Sequence, residues 1–456
     1  MTGCGLPAPF WERQVLQLAS GEKAFWNVLV ALGALHRRWE YSHNHPRSIK
    51  PAPDSTIVNF ARQAAHHYYG AISLAKEIND PATLAALSAA LAAAAQLAGR
   101  WSESEVHIQA GLRLIQSHPH LDPMAELIPS LERIDLQAMF FEDVRFPYSL
   151  YKTFSPADLA QGHPWPPPPG PDLPSLDEGA FVILSIVRRF MRIAGAAENG
   201  VLTMEEFVAA MEQVSIDTSR WEQALDHLLT TESQPAGRQS PEEERKILTM
   251  RLYHTLLVQC LTAGALGPQT RWDKALPYFV RAVELAEAVI LATPTALPFF
   301  LSLEPGIAVP LFLTAVRCRH PLVRRRALRL LAGMNRQEGI WNCRAAARVA
   351  RECIALEEEG LGIQLPLPVP VSDASVEMMI GLPVIDGHVD VDAPLVVDEN
   401  GYAPVWPGGW PNVPESKRLL ETALVVDLTA GMIHLTMHQT GPEGLGFAAR
   451  SMSIIY

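Results

Sequence analysis

Between Pro305 and Glu359 the chain sets out three helices in a fixed order, and the middle one carries three consecutive arginines. An apolar stretch ends at Cys318-Arg319. A His320-Pro321 start opens an arginine-rich helix over Leu322 to Leu331, and Gly339-Ile340-Trp341 leads into a third helix that closes on acidic residues. Successive helical residues are set about 100° apart. Arg324, Arg325 and Arg326 therefore fan over most of a turn and cannot all face one ligand, which argues against a phosphate or nuclear-localisation patch.

The same helical grammar recurs upstream. From Ile57 the residues Ile57, Phe60, Ala61, Ala64, Tyr68, Ala71, Ile72 and Ala75 fall at steps of three and four, which makes one continuous helix face. Asp80-Pro81 reads as a helix start, with Asp80 as cap and Pro81 in the first turn. Val106–Ile115 and Leu131–Val144 continue the pattern. Helices resume at about Phe181 after the Pro-rich stretch His163–Pro174, which is expected to be an extended exposed loop. Ser240 and Glu243 form a capping box, and Arg271–Leu291 completes the body. Leu84–Ala98 is Ala-rich, too short to cross a bilayer, and expected to be a buried helix. The expected class is therefore all-α: a large multi-helix bundle over 1–360, with a tail of extended segments over 361–456 where Pro and Gly divide the sequence.

Composition narrows the chemistry. The 456 residues are 48% apolar, which suits a packed fold rather than a disordered regulator. A net charge of −12 gives no phosphate-gripping excess and leaves neutral ligands or protein partners open. The five cysteines Cys4, Cys260, Cys318, Cys343 and Cys353 are scattered without Cys-x2-Cys spacing, so neither a disulfide framework nor a zinc site is implied. Met1–Pro9 lacks the basic start and apolar core of a secretory signal, and the chain is expected not to be secreted.

In the order Cys-Arg, Arg-Arg-Arg-Ala-Leu, Arg-x-x-Gly-x-Trp, the segment around Cys318, Arg324–Leu328 and Arg336–Trp341 resembles the regulatory ("middle homology") region of fungal zinc-cluster transcription factors. Three further stretches resemble it in the same order. They are Trp11 with Leu16-Gln17-Leu18 and Ala31-Leu32-Gly33-Ala34-Leu35-His36, then the helix ending YYGAISLAKEI, then His107–Ile115. The resemblance spans Trp11 to Glu359. It implies the helical fold of that region, a structural helix for Arg324–Arg326 that pairs with acidic neighbours such as Glu357–Glu359, and a nuclear or cytoplasmic protein. The six-cysteine cluster that holds two zinc ions in such factors is absent from the sequence. Specific DNA binding is accordingly not expected of this chain.

Several weaker motifs have plainer readings. Asp386, His388, Asp390 and Asp392 would share one strand face, and His434 and His438 one face of a helix or strand. Both sets lack the further ligands a metal needs and read as solvated or packing residues. Glu198–Phe207 has the cadence of the end of a calcium loop, but setting Gly200 at loop position six puts Gly195 and Ala197 at positions one and three, where carboxylates are required. No metal or cofactor is expected. The remaining candidates for a pocket in the helical body are His66, His67, Tyr68 and Asp135, chosen for their places in amphipathic helices.

Two functions follow from these readings. One is a transcription-factor-like regulatory protein that acts through a small molecule or a protein partner such as a zinc-cluster factor, with a homodimer allowed, in a secondary-metabolite setting. The other is a regulatory domain recruited as a cofactor-free cyclase or isomerase, or as a small-molecule binder.

Overall fold

The Ala-rich window folds as a helix buried on every side, and it lies at the centre of the first of two compact units in this computed structural model. The structure describes residues 8–44, 55–118, 127–141, 172–232, 240–293, 300–363, 413–427, 432–440 and 447–455, with Leu6 and Leu367 singly. The class is all-α, with a few strands, of which the three longest form an antiparallel sheet near the C-terminal end of the described residues. His163–Pro171, Asp386–Asp392 and most of the expected extended tail lie outside the described residues.

The first unit draws on residues 1–141, 297–305 and 335–340. A π-helical turn, Phe10–Gln14, runs into α1 (Val15–Gly21) and α2 (Lys23–Asn44). Then come α3 (Ser55–Ala75), α4 (Pro81–Leu97), α5 (Trp101–Ser117) and α6 (Leu127–Phe141). α2 packs on α3, and α4 packs on α5 and α2. Asp80 caps α4 as its sequence implies, accepting from the Thr83 amide at 2.8 Å and its hydroxyl at 2.6 Å. Those bonds hold its carboxyl below the usual range. Alanine has the highest helix propensity, and its bare methyls let neighbours approach α4 closely. Gly111 of α5 uses that space. A Cβ there would stand 2.9 Å from Leu131 Cδ2 and 3.4 Å from Ser88 Cβ.

Two three-residue strands complete this unit. β1 (Phe300–Ser302) pairs in parallel with β2 (Arg336–Glu338). Just past β2, Gly339 has φ +53° and donates its amide to Ser302 O at 2.7 Å. A side chain there would collide with Gln137, whose amide is held by Leu303 O at 2.9 Å. Only glycine meets both demands.

The second unit holds the remaining helices. They are α7 (Leu176–Glu198), α8 (Met204–Glu232), α9 (Pro241–Ala263), α10 (Leu276–Leu291), α11 (Ala308–Arg317), α12 (Pro321–Gly333) and α13 (Cys343–Glu358). α7 begins at Leu176, ahead of the expected Phe181, because Ser175 caps it by accepting from the Glu178 amide. The capping box of Ser240 and Glu243 opens α9. Trp221 of α8 is buried, donates its indole N–H to Gly179 O of α7 at 2.8 Å, and stacks on His254 of α9. Trp341, in the two-residue strand β3 (Trp341–Asn342), packs its ring 5.1 Å from that of Phe312 on α11. Four cysteines of this unit, Cys260, Cys318, Cys343 and Cys353, are buried and unbridged, and burial pushes the thiols of Cys260 and Cys318 up to about 12.

α11, α12 and α13 are joined by charge. His320 caps α12, its Nδ1 accepting from the Val323 amide, and burial pushes its imidazole down to about 3 so that it stays a neutral acceptor. Glu357 of α13 is completely buried and receives Arg319 at 2.8 Å and Arg324 at 2.7 Å. Arg325 pairs with Glu358, its Nη1 at 2.9 Å from Oε1. Arg326 points elsewhere, to Glu287 of α10 at 2.6 Å, and Glu359 pairs with Arg450. The fan of arginines thus divides among three carboxylates, of which two are the expected ones.

After α13 the described chain resumes at Val413. Arg418 is wholly buried, forms a two-pronged bridge to Asp273 at 2.7 and 2.8 Å, and also donates to Val413 O. Glu415 accepts from the amides of Gln269 and Thr270. These contacts seat a meander of β4 (Leu419–Asp427), β5 (Met432–Thr440) and β6 (Phe447–Ile455), paired antiparallel in that order. The Leu419 amide is the third donor to Glu357, at 2.9 Å.

Glu357→Gln is expected to cost about 3–5 kcal/mol, because it removes the buried carboxylate that Arg319 and Arg324 share and leaves Arg324 only its longer contact to Glu358 at 3.5 Å. A lower urea midpoint is the readout. Burial alone would raise the Glu357 carboxyl, but Arg319 and Arg324 outweigh it and hold it down at about 2, against 4.5 for the free group. A depressed carboxyl gives stability that is complete above its unfolded value and lost as pH falls toward its folded one. The wild-type melting temperature should therefore drop between about pH 4.5 and 2, and drop less in Glu357→Gln.

Candidate functional site

Three of the four sequence candidates are consecutive on α3, and the helix sends them in different directions. His66 is exposed, with its ring edge-on to that of His67 at 5.2 Å. His67 is half-buried and places Nδ1 2.8 Å from Asn27 Oδ1 of α2, an acceptor to which Nδ1 donates. Gly70 makes room for that approach: a Cβ there would lie 3.2 Å from the same Asn27 oxygen. Tyr68 turns inward and is 4% exposed. The fourth candidate, Asp135, lies on α6 and is fully buried. It is two residues from both Arg133 and Gln137, hence on the opposite side of the helix from that pair. Arg133 holds Glu304 at 2.8 Å and Gln137 holds Leu303, so that side of α6 anchors the strand segment.

The hydroxyl of Tyr68 meets a residue outside the candidate set. Its Oη lies 2.8 Å from His107 Nε2 on α5, with the rings 5.8 Å apart and edge to face. Arg100, at the cap position of α5, sets its guanidinium carbon 5.8 Å from the Tyr68 ring centre and 5.1 Å from that of Tyr69. It also donates to the Tyr69 hydroxyl and pairs with Glu103 at 3.0 Å. Arg100, Glu103 and His107 are spaced three and four apart, a single stripe on α5 that faces the two tyrosines. That spacing is visible in the sequence. What it lacked was any sign that the partner stripe lay on α3, more than thirty residues away.

Burial sets the protonation of this group. It pushes the Tyr68 phenol well above the usual tyrosine range, and the Glu103 charge pushes it further. It pushes the His107 imidazole down. Both are therefore neutral near pH 7, and one proton lies between Oη and Nε2. A neutral phenol–imidazole pair can donate to or accept from a third group, whereas a phenolate base is disfavoured.

The other sequence motifs resolve as structure. His434 and His438 lie on β5, four residues apart, about 13 Å along an extended strand. One ion cannot bridge that span. His434 instead lies 2.8 Å from the Ser453 hydroxyl. Glu206 closes on the Thr203 amide and hydroxyl, both at 2.8 Å, capping α8 rather than facing a calcium loop. Among the described residues no cluster of three or more His, Cys, Asp or Glu is arranged to hold a metal, and no helix is long and apolar enough to cross a membrane.

Tyr68→Phe should lower stability by about 1 kcal/mol through the lost hydrogen bond. It should also raise the His107 pKa, because the phenol no longer donates to the neutral ring. Imidazole proton shifts followed through a pH titration provide the check. Comparison of the chain with protein-family models, curated proteins and solved structures gave no match.

Proposed function

We propose that this protein is a transcription-factor-like regulator that works by binding a small molecule or a protein partner and does not itself grip DNA. The reading rests on the four ordered likenesses between Trp11 and Glu359 to the regulatory region of fungal zinc-cluster factors. One observation favours it over a nucleic-acid role for the arginine helix: Arg319, Arg324 and Arg325 are 7%, 0% and 1% exposed and bound to Glu357 and Glu358. Side chains consumed in this way offer nothing to phosphates, and the chain carries a net −12. The ligand-facing group in this reading is Tyr68–His107, with the Arg100–Tyr69 face beside it. It suits a planar, polar molecule able to stack and to take one hydrogen bond. The setting is the nucleus or cytoplasm.

A second reading is favoured by the same hydrogen bond. A neutral Tyr68 poised against a neutral His107 could steer a proton in a cofactor-free cyclisation or isomerisation.

The experiment joins the full chain to a heterologous six-cysteine DNA-binding domain in a fungal reporter strain. Reporter output should shift severalfold from that of the DNA-binding domain alone, and Tyr68→Phe should blunt the shift. Output equal to the DNA-binding domain alone, together with consumption of a metabolite by the purified chain that stops in Tyr68→Phe or His67→Ala, would replace the regulator with the enzyme.

A further inference from the structure

The strand order β4-β5-β6 leaves two edges, and they are unlike. β4 has a register shift between Leu419 and Glu421, and its first amide is taken by Glu357. An irregular, anchored edge resists pairing with another chain. β6 runs nine residues in unbroken register with β5, from Phe447 beside Thr440 to Ile455 beside Met432. Its sequence, FAARSMSII, has no proline, no lysine and one charge. Among the described residues no strand lies beyond it.

β6 is joined to β5 along its whole length. On one face Ile433, Leu435 and Met437 of β5 are buried, and Ile454, Met452 and Arg450 stand beside them. On the other face Ser451 lies 3.0 Å from Thr436 Oγ1, and Ser453 2.8 Å from His434 Nδ1. Arg450 is drawn to Glu359 at 3.1 Å. A regular edge of this length exposes a row of backbone donors and acceptors, which is the geometry that recruits a further strand.

We propose that the outer edge of β6 pairs antiparallel with β6 of a second copy of this chain, about a two-fold axis at Ser451, so that two three-stranded sheets become one of six. The strand's own order favours a copy of itself. Pairing about Ser451 sets Ala449 opposite Ser453 and Arg450 opposite Met452. The solvent face of the join then consists of Ala449, Ser451 and Ser453, small enough for the strands to meet. The single charge meets an apolar residue rather than its twin, whereas like charges set directly opposite destabilise a ladder. A two-fold contact of this kind is closed and ends at the dimer.

Sedimentation velocity on the full chain over a range of concentrations tests it. The wild type is expected to dimerise as concentration rises. Ser451→Lys and Ser451→Glu should each be monomeric with an unchanged circular-dichroism spectrum, and an equimolar mixture of the two should recover the dimer. Should either charged variant fail to fold, thiol pairing decides. In a Cys4→Ser background, Ser451→Cys should form a covalent dimer under mild oxidation and Ser453→Cys should not, because only residue 451 faces itself. A wild type that stays monomeric while folded overturns the proposal. So does a dimer that survives Ser451→Lys, equal cross-linking at both positions, or an edge occupied by a different protein.

Discussion

Glu357 is a carboxylate with no exposed surface, and around it the second unit is assembled. A bare charge in such a place is prohibitively costly, so its partners must all arrive together. Arg319 comes from the turn after α11, Arg324 from α12, and the third donor is the backbone of Leu419 at the head of β4. One side chain thereby fixes the spacing of three helices and the docking of a sheet that follows some sixty residues later. The two arginines are themselves disfavoured by burial, Arg319 visibly so, since desolvation lowers its pKa. The arrangement is all or nothing: each member is tolerable only in the presence of the others.

Local features of the fold were legible in the sequence because their causes are local. Asp80-Pro81, His320-Pro321 and Ser240 with Glu243 each supply a side-chain acceptor for a backbone amide within three residues of a helix start, and all three cap helices as their sequences imply. The capping signal at Ser175 and Glu178 is of the same kind, and it moves the start of α7 ahead of Phe181. Pairing of Arg324 and Arg325 with the acidic end of α13 was also foreseeable, as charge blocks of opposite sign lay on successive helices. Partners at long range were not. Nothing near Arg326 points to Glu287, and nothing near Arg418 points to Asp273, 145 residues away.

The candidate site shows the same divide. Amphipathic spacing put Tyr68 on the inner face of α3, and it is there. The residue that gives its hydroxyl a role, His107, belongs to another helix, and its neighbours Arg100 and Glu103 look from sequence like an ordinary solvated turn. Burial then changes what the groups are. A phenol pushed up and an imidazole pushed down become a neutral couple, which no count of residue types would disclose. Asp135 was chosen by the same helical spacing as Tyr68, and it sits instead on a helix buried around its whole circumference. Periodicity finds an inward face. It does not say which inward residues meet.

The four enclosed thiols have a practical corollary. An alkylating reagent attacks the thiolate, and two of these groups hold their protons to about 12 behind packed side chains. At neutral pH their labelling must wait for the helices around them to part. The pace of modification would then measure how often the second unit breathes open, giving a clock for its internal motion that requires no introduced probe.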